Sequence, residues 1–256
     1  MEYIDIAEAR ALPGLRLALT KGVPGPWSQA AKYVFEVKGI PYVPVAQLGG
    51  RSNDELFEWT GHRNAPIAVY DDEPARAGWH EIIALAERLR PAPALLPPDS
   101  ASRVETFGII TEIASENGLA WQRRLQLIDG LNASPDERVQ RSGATLAERY
   151  GYSPEALARA NDRAADILRM LSHKLHSQKA AGSDYFVGGE FTATDLYWAC
   201  FSQLVAPLDE SVNRMPGLLR DLYAVKESEV GDAVDPVLLA HRDLVYEKHL
   251  SLPLDF

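Results

Sequence analysis

Residues 15–46 read LRLALTKGVPGPWSQAAKYVFEVKGIPYVPVA, a strand–helix–strand unit. Leu15, Leu17 and Leu19 alternate with Arg16 and Ala18, the period-2 pattern of a strand. The breaker cluster Gly22-Val-Pro-Gly-Pro26 then turns the chain. Pro26 suits the first position of a helix, because the N–H that proline lacks would have no partner there. From Trp27 to Lys38, Ala30, Ala31, Val34, Phe35 and Val37 recur at mostly helical spacing, and Gly39 follows as a C-terminal cap. Tyr42-Val-Pro-Val-Ala46 is a second short strand, and Pro44 places it at a sheet edge.

Outward from this unit the alternation continues. Asn53 to Trp59 is a short helix, Ile67-Ala-Val-Tyr70 a third strand, and Asp71-Asp-Glu-Pro74 an acidic turn. Trp79 to Leu89 is helical and Pro91 closes it; a fourth short strand is expected near Ala75 to Ala77. The stretch Arg90 to Asp99 contains four prolines, the composition of an extended connector. Beyond it strand signals nearly vanish, and helical patterns cover roughly 101–128, 154–178, 194–206, 215–226 and 235–249. The expected organisation is an α/β unit over 1–90, a proline-rich linker over 91–100 and an all-helical unit over 101–256.

Composition narrows the function. The formal net charge of −10 disfavours nucleic acid and anionic membrane surfaces, and Arg123-Arg124 is too isolated to form a basic patch. No run of 18 apolar residues exists to span a bilayer, and the acidic N-terminus lacks the pattern of a secretory signal. The single cysteine, Cys200, excludes an intramolecular disulfide and a cysteine-rich metal site. A cytoplasmic location follows as the default. His173 and His176 are spaced i, i+3 on a helix without a third ligand and read as a solvated face, so no metal is expected. Cys200, within Tyr197-Trp-Ala-Cys-Phe201, reads as a small core residue.

Three features in order resemble the cytosolic glutathione transferase superfamily. Glu36-Val-Lys-Gly-Ile-Pro-Tyr42 is similar to the family's first helix and second strand. Asn64-Ala-Pro-Ile67, before an acidic turn and a helix, looks like its step to a cis proline, where the preceding residue offers backbone hydrogen bonds to glutathione. Phe186-Val-Gly-Gly-Glu-Phe-Thr-Ala-Thr-Asp-Leu196 resembles its structural motif in the helical domain, with Thr192 and Asp195 as a capping box and Phe191 and Leu196 as a hydrophobic staple. The resemblance implies a thioredoxin-like N-terminal domain, an all-α C-terminal domain, glutathione as co-substrate, a small electrophile as its partner and a homodimer.

It also implies a site. The family's cysteine-bearing motif falls on Gly25-Pro26-Trp27-Ser28, so the nucleophile position is Gly25, without a side chain. Ser28 is the remaining catalytic candidate, either as a hydrogen-bond donor to the glutathione sulfur at a helix start or as an ordinary first-turn residue. Ala65, Pro66, Asn64, Trp27 and the pair Glu81-Ile82 are the glutathione-binding candidates; Glu81 matches the family's γ-glutamyl position, whereas Ile82 stands where a serine is usual. Gln47 and Arg63 are polar loop candidates, and His62 and His80 flank the region as titratable groups. Tyr33, Phe107 and Trp121, with Trp27, either line a substrate pocket between the domains or simply pack there. Phe107 and Trp121 share a face only if one helix runs through Gly118, where a break is equally compatible with glycine. The expectation is a glutathione-dependent transferase or lyase, with two alternatives: a binding or regulatory protein that has lost thiol chemistry, or an enzyme using another cleft ligand.

Overall fold

A computed structural model describes residues 1–225 and 228–256. The first half runs α1 (Ile6–Ala11), β1 (Leu15–Thr20), α2 (Pro26–Val37), β2 (Val43–Gln47), α3 (Asp54–Thr60), β3 (Ile67–Tyr70) and α4 (Trp79–Leu89). The second contains α5 (Ser100–Ala114), α6 (Leu119–Asn132), α7 (Glu137–Tyr150), α8 (Pro154–Ala180), α9 (Ala193–Phe201), a 3-10 turn (Ser202–Leu204), α10 (Gly217–Tyr223), α11 (Glu229–Asp232) and α12 (Pro236–Lys248). The architecture is a thioredoxin-like α/β half followed by a helical half.

The sheet has the order β2-β1-β3, with β1 parallel to β2 and antiparallel to β3. β2 is the edge strand that Pro44 requires, and Ile4 extends its outer side by one bridge to Val45. The expected strand at Ala75 to Ala77 reduces to a single bridge, Ala68 to Arg76, because the chain turns into α4 two residues later. The Ala65-Pro66 bond is cis. Helix α1 had no counterpart in the periodicity; it is six residues long, and Asp5 caps it by accepting the Glu8 N–H at 2.8 Å.

Helix α2 ends in the expected way. Gly39 has φ +61°, and the Ile40 N–H reaches back to the Phe35 carbonyl at 2.9 Å. Arg90 completes the cap by donating to the carbonyls of Lys38 and Gly39 at 2.8 and 2.7 Å. The proline-rich stretch after α4 is irregular, as its composition requires, but it is packed rather than free. Leu95 is 0% exposed, its N–H donates to Glu87 Oε1 at 2.8 Å, and its carbonyl accepts from Ala193 N–H at 2.8 Å.

The helical half departs from the expected pattern in three places. The stretch 101–128 is two helices, not one, broken at Ser115–Gly118. A Cβ on Gly118 would lie 2.7 to 2.9 Å from the carbonyl oxygens of Glu112, Ser115 and Thr111, so the turn packs too tightly for any side chain. Helix α7 was not anticipated, because its surface is largely polar and Gly143 is its only buried residue. The expected helix 194–206 is α9 followed by the 3-10 turn. That over 215–226 shortens to α10, and its last position, Lys226, lies outside the described residues.

All nine residues of α9 are buried, packed against α2, α5 and α12. Its start is the expected capping box. Asp195, 0% exposed, accepts from the N–H groups of Thr192 at 2.8 Å and Phe186 at 2.9 Å, and from the Thr192 hydroxyl at 3.0 Å. The Nε2 atom of His241 lies 3.0 Å from Oδ1, the oxygen that also accepts the Phe186 N–H. Cys200 is buried here, and burial pushes its thiol well above the usual range. His176 turns to Asp235, 2.9 Å away, where Ser172, the Val237 N–H and His176 together hold the carboxyl down at about 2.

Asp195→Ala would strand two buried backbone N–H groups and remove the carboxylate facing His241. Loss of about 3–5 kcal/mol in chemical denaturation is expected. A loss below about 1 kcal/mol would show that α9 does not depend on this carboxylate.

Candidate functional site

The two halves meet along an aromatic seam. Trp27, in the first turn of α2, donates its indole N–H to the Ala114 carbonyl at 2.9 Å, and Trp79, at the start of α4, donates to Ser115 Oγ at 2.9 Å. Both indoles from the α/β half thus satisfy groups at the end of α5, where helical carbonyls have no partner of their own. Behind them Trp27 meets Phe201 edge-on at 5.0 Å, and Trp79 packs on Phe107 at 5.6 Å and Tyr197 at 6.0 Å.

In front of the seam a cleft opens between the halves, as two adjoining hollows of about 210 and 330 Å³. Trp27, Asn64, Ala65, Arg124 and Tyr150 line both. Thr20, Ser28, Gln47 and the Gly49-Gly50 turn complete the α/β wall of the first; Leu127, Leu146, Arg149, Leu204 and Tyr223 complete its helical wall. The second is bounded by His62, Pro66, Ala77 and Trp121.

Arg124 sits where the hollows join. Its guanidinium carbon lies 4.2 Å from the Trp27 ring centroid, 4.2 Å from Tyr150 and 5.2 Å from Trp121. Among the described residues no group accepts a hydrogen bond from it and no carboxylate pairs with it. Three aromatic rings lie against it, and burial lowers its pKa. Arg123, its neighbour, is the opposite case: buried, with Nε donating to the Leu204 carbonyl at 2.7 Å and Nη2 to Tyr223 and Leu222 at 3.1 and 3.2 Å. Burial brings its pKa down to about 10.

No protein-family model matches the chain, and no curated protein matches it in sequence. Solved structures do match. Glutathione transferase Omega 3C from Trametes versicolor superposes with a TM-score of 0.59 at 15% identity, over 96% of this chain and 90% of that one. A glutathione S-transferase from Xanthobacter autotrophicus Py2 gives 0.59 at 18%, over 93% and 96%. The chain has the glutathione transferase fold. A third such structure, from Methylobacterium radiotolerans JCM 2831 in complex with glutathione sulfonate, gives 0.55 at 20%, over 86% of this chain and 94% of that one.

Within this transferase fold the sequence candidates separate. Ser28, Trp27, Asn64, Ala65, Pro66, Gln47, His62, Arg63 and Trp121 all border the cleft. Ser28 is 4% exposed and already engaged: its Oγ accepts the Thr20 N–H at 3.1 Å and contacts Thr20 Oγ1 at 3.4 Å. Arg63 is turned away, donating to Ser52 and Asp54 at 2.6 Å. Glu81 accepts the Gly78 N–H at 2.8 Å as a helix cap, and Ile82 is fully buried in the core. Neither borders the hollows. Tyr33 and Phe107 lie off the two hollows and follow the packing alternative: Tyr33 is 1% exposed and donates to the Ser251 carbonyl at 2.5 Å, while Phe107 packs against Trp79. Phe107 and Trp121 lie on separate helices, because the chain breaks at Gly118.

Arg124, Tyr150, Leu146 and Arg149 are the cleft residues the sequence reading missed. The last three ride on α7, and α7 reaches the cleft because Gly143 lets it touch the end of α6. A Cβ there would lie 3.0 Å from Leu131 Cβ and 3.1 Å from the Asn132 nitrogen. A signal was present for Arg124: with Trp121 at i−3 it forms a helical aromatic–cation pair.

Ser28→Ala would leave the Thr20 N–H without an acceptor at the end of β1. A cost of about 1–3 kcal/mol in urea denaturation is expected before any ligand is added. An unchanged midpoint would mean that the hydroxyl has no structural duty and is free for a ligand.

Proposed function

We propose that the chain is a glutathione-dependent transferase acting on a small electrophile. The observation that carries this reading is the conjunction, on one wall of the cleft, of Ala65 before cis Pro66 and the start of α2. The β1–β3 ladder ends at Ile67, so the amide edge of Ala65 lies outside the sheet and is available to pair with an extended peptide. The first helical bond of α2 runs from the Gln29 N–H to the Gly25 carbonyl at 3.0 Å, which leaves the Trp27 and Ser28 N–H groups outside the helical ladder. A glutathione sulfur set against them would gain stabilisation as thiolate from the amides and the positive end of the helix. The thiol proton would pass to solvent, and the sulfur pair would form a bond to carbon of an electrophile lying under α6 and α7, whose leaving group departs as an anion to solvent with the electron pair of the bond it breaks. Gly25 supplies no side chain, so this chemistry relies on backbone N–H groups and on Ser28, rotated from Thr20 towards the sulfur. Ser28's engagement by Thr20 also supports the second reading, a glutathione-binding protein without turnover.

Calorimetry with glutathione and S-methylglutathione at neutral pH tests the binding. Both are expected to bind at millimolar affinity or tighter. Absence of heat at several times that concentration would overturn the glutathione reading; binding without turnover across a panel of electrophiles would select the second. A homodimer belongs to the same proposal, and a sedimentation mass of one chain would remove it.

A further inference from the structure

We propose that the part of the cleft under α6 and α7 is an anion site, which selects a carboxylate-bearing apolar molecule as the second ligand and holds its carboxylate on Arg124. This rests on the transferase reading for the ligand's role as co-substrate, though not for its binding.

Three observations lead there. First, the 210 Å³ hollow is lined by two arginines, Arg124 and Arg149, and by no aspartate or glutamate, Glu116 bordering the adjoining hollow instead, in a chain whose formal charge is −10. A cationic pocket in an acidic protein focuses anions there. Second, the guanidinium of Arg124 is held by rings and not by acceptors. With its central carbon 4.2 Å from both the Trp27 and Tyr150 ring centroids and no acceptor among the described residues, its N–H groups are unspent and can meet a carboxylate in bidentate fashion. Arg149 is similarly unspent, with a single 3.5 Å hydrogen bond to Asn64 Oδ1 and no ion pair among the described residues. Third, the rest of that wall is apolar: Leu127, Leu146, Leu204 and the Tyr223 ring. Burial raises the Tyr223 hydroxyl to about 12, so it stays neutral and adds no competing negative charge. An anion-only site would not need this apolar lining, whereas an aromatic or aliphatic acid uses both. Arg124 and Arg149 come from α6 and α7 and reach across to Trp27 and Asn64, so competition with S-methylglutathione decides between the second ligand and a glutathione carboxylate.

The test uses 4-chloro-3-nitrobenzoate and the neutral 4-chloro-3-nitrobenzamide, of nearly equal size, titrated into the full chain. Quenching of Trp27 and Trp121, which flank Arg124, reports binding. The acid is expected to bind about tenfold or more tightly than the amide, and Arg124→Gln to bring the ratio towards one. Arg149→Gln should lower it by a smaller factor, since Arg149 is exposed. Saturating S-methylglutathione, which has no thiol to react, should leave acid binding in place. Equal affinity of acid and amide for the unaltered protein would overturn the proposal even if Arg124→Gln fails to fold. A ratio that survives in folded Arg124→Gln would also overturn it, and so would displacement of the acid by S-methylglutathione, which would give Arg124 to the tripeptide. If S-methylglutathione does not bind while the acid is preferred, the glutathione reading fails and the anion site stands.

Discussion

Lys38 closes α2 with its ammonium buried, and the partners of that charge determine how the two halves join. Its Nζ donates to Glu87 Oε1 at 2.7 Å and to the Pro93 carbonyl at 2.6 Å, and the same carboxylate oxygen accepts the Leu95 N–H. A lysine this deeply buried is tolerated only if its charge is paired and hydrogen-bonded; removing one partner of such a pair costs about 3–5 kcal/mol. The chain leaving α4 must therefore pass over the end of α2. That path delivers the Leu95 carbonyl to the Ala193 N–H at the head of α9, beside Asp195. α2, α4 and α9 are thus fixed by one polar chain, and the cleft lies where α2 and α4 begin.

The paired arginines of α6 show how such a frame creates function. Adjacent residues on a helix point about 100° apart, so Arg123 faces inward and Arg124 faces the α/β half. Arg123 meets the carbonyls of Leu204, Leu222 and Tyr223 and ties the 3-10 turn and α10 to α6. Its donors are consumed in folding. Arg124 meets only ring faces, which steady a cation without using its N–H groups. Two identical side chains thus have different chemistry because one element carries acceptors and the other aromatic rings. Ser28 and Thr20, by contrast, spend their polar atoms on each other. Much of the cleft's polar capacity thus lies with backbone N–H groups on one wall and guanidinium groups on the other, beside His62, Asn64 and Glu116.

This division explains which parts were legible in the sequence. β1, α2, β2, β3 and α4 were read nearly to the residue, because buried strands and one-sided helices impose their period on apolar residues, and because Pro26, Gly39 and Pro44 punctuate them. The Thr192–Asp195 box was legible because a cap is a local device. Helix α7 was not, since Gly143 is its one fully buried residue and the cleft face with Leu146 and Tyr150 is only half-buried on an otherwise polar helix. The break at Gly118 follows from three carbonyl oxygens crowding one Cα, which no periodicity encodes. Tyr33 misled because an aromatic residue near a presumed site is indistinguishable in sequence from one whose hydroxyl meets Ser251, 218 positions away.

The cleft could be partly anticipated on one wall and hardly at all on the other, for the same physical reason. The α/β wall is made of backbone in special conformations, a cis proline and a helix start, and those conformations demand particular residues. The helical wall is made of side chains brought together by packing. Arg124 reads as a surface charge in an isolated pair until α2 brings Trp27 against it and α7 brings Tyr150. Substituting Trp27 or Tyr150 would thus change the environment of the cation as directly as substituting Arg124 itself. A fold that keeps one wall by backbone and varies the other by packed side chains can retain a common ligand while changing its partner. Where the resemblance would place a thiol, this chain has Gly25, without a side chain, and Ile82 is turned into the core. The arginine-lined wall carries two guanidinium groups without an ion pair among the described residues, and the proposed selectivity for the second ligand rests on them.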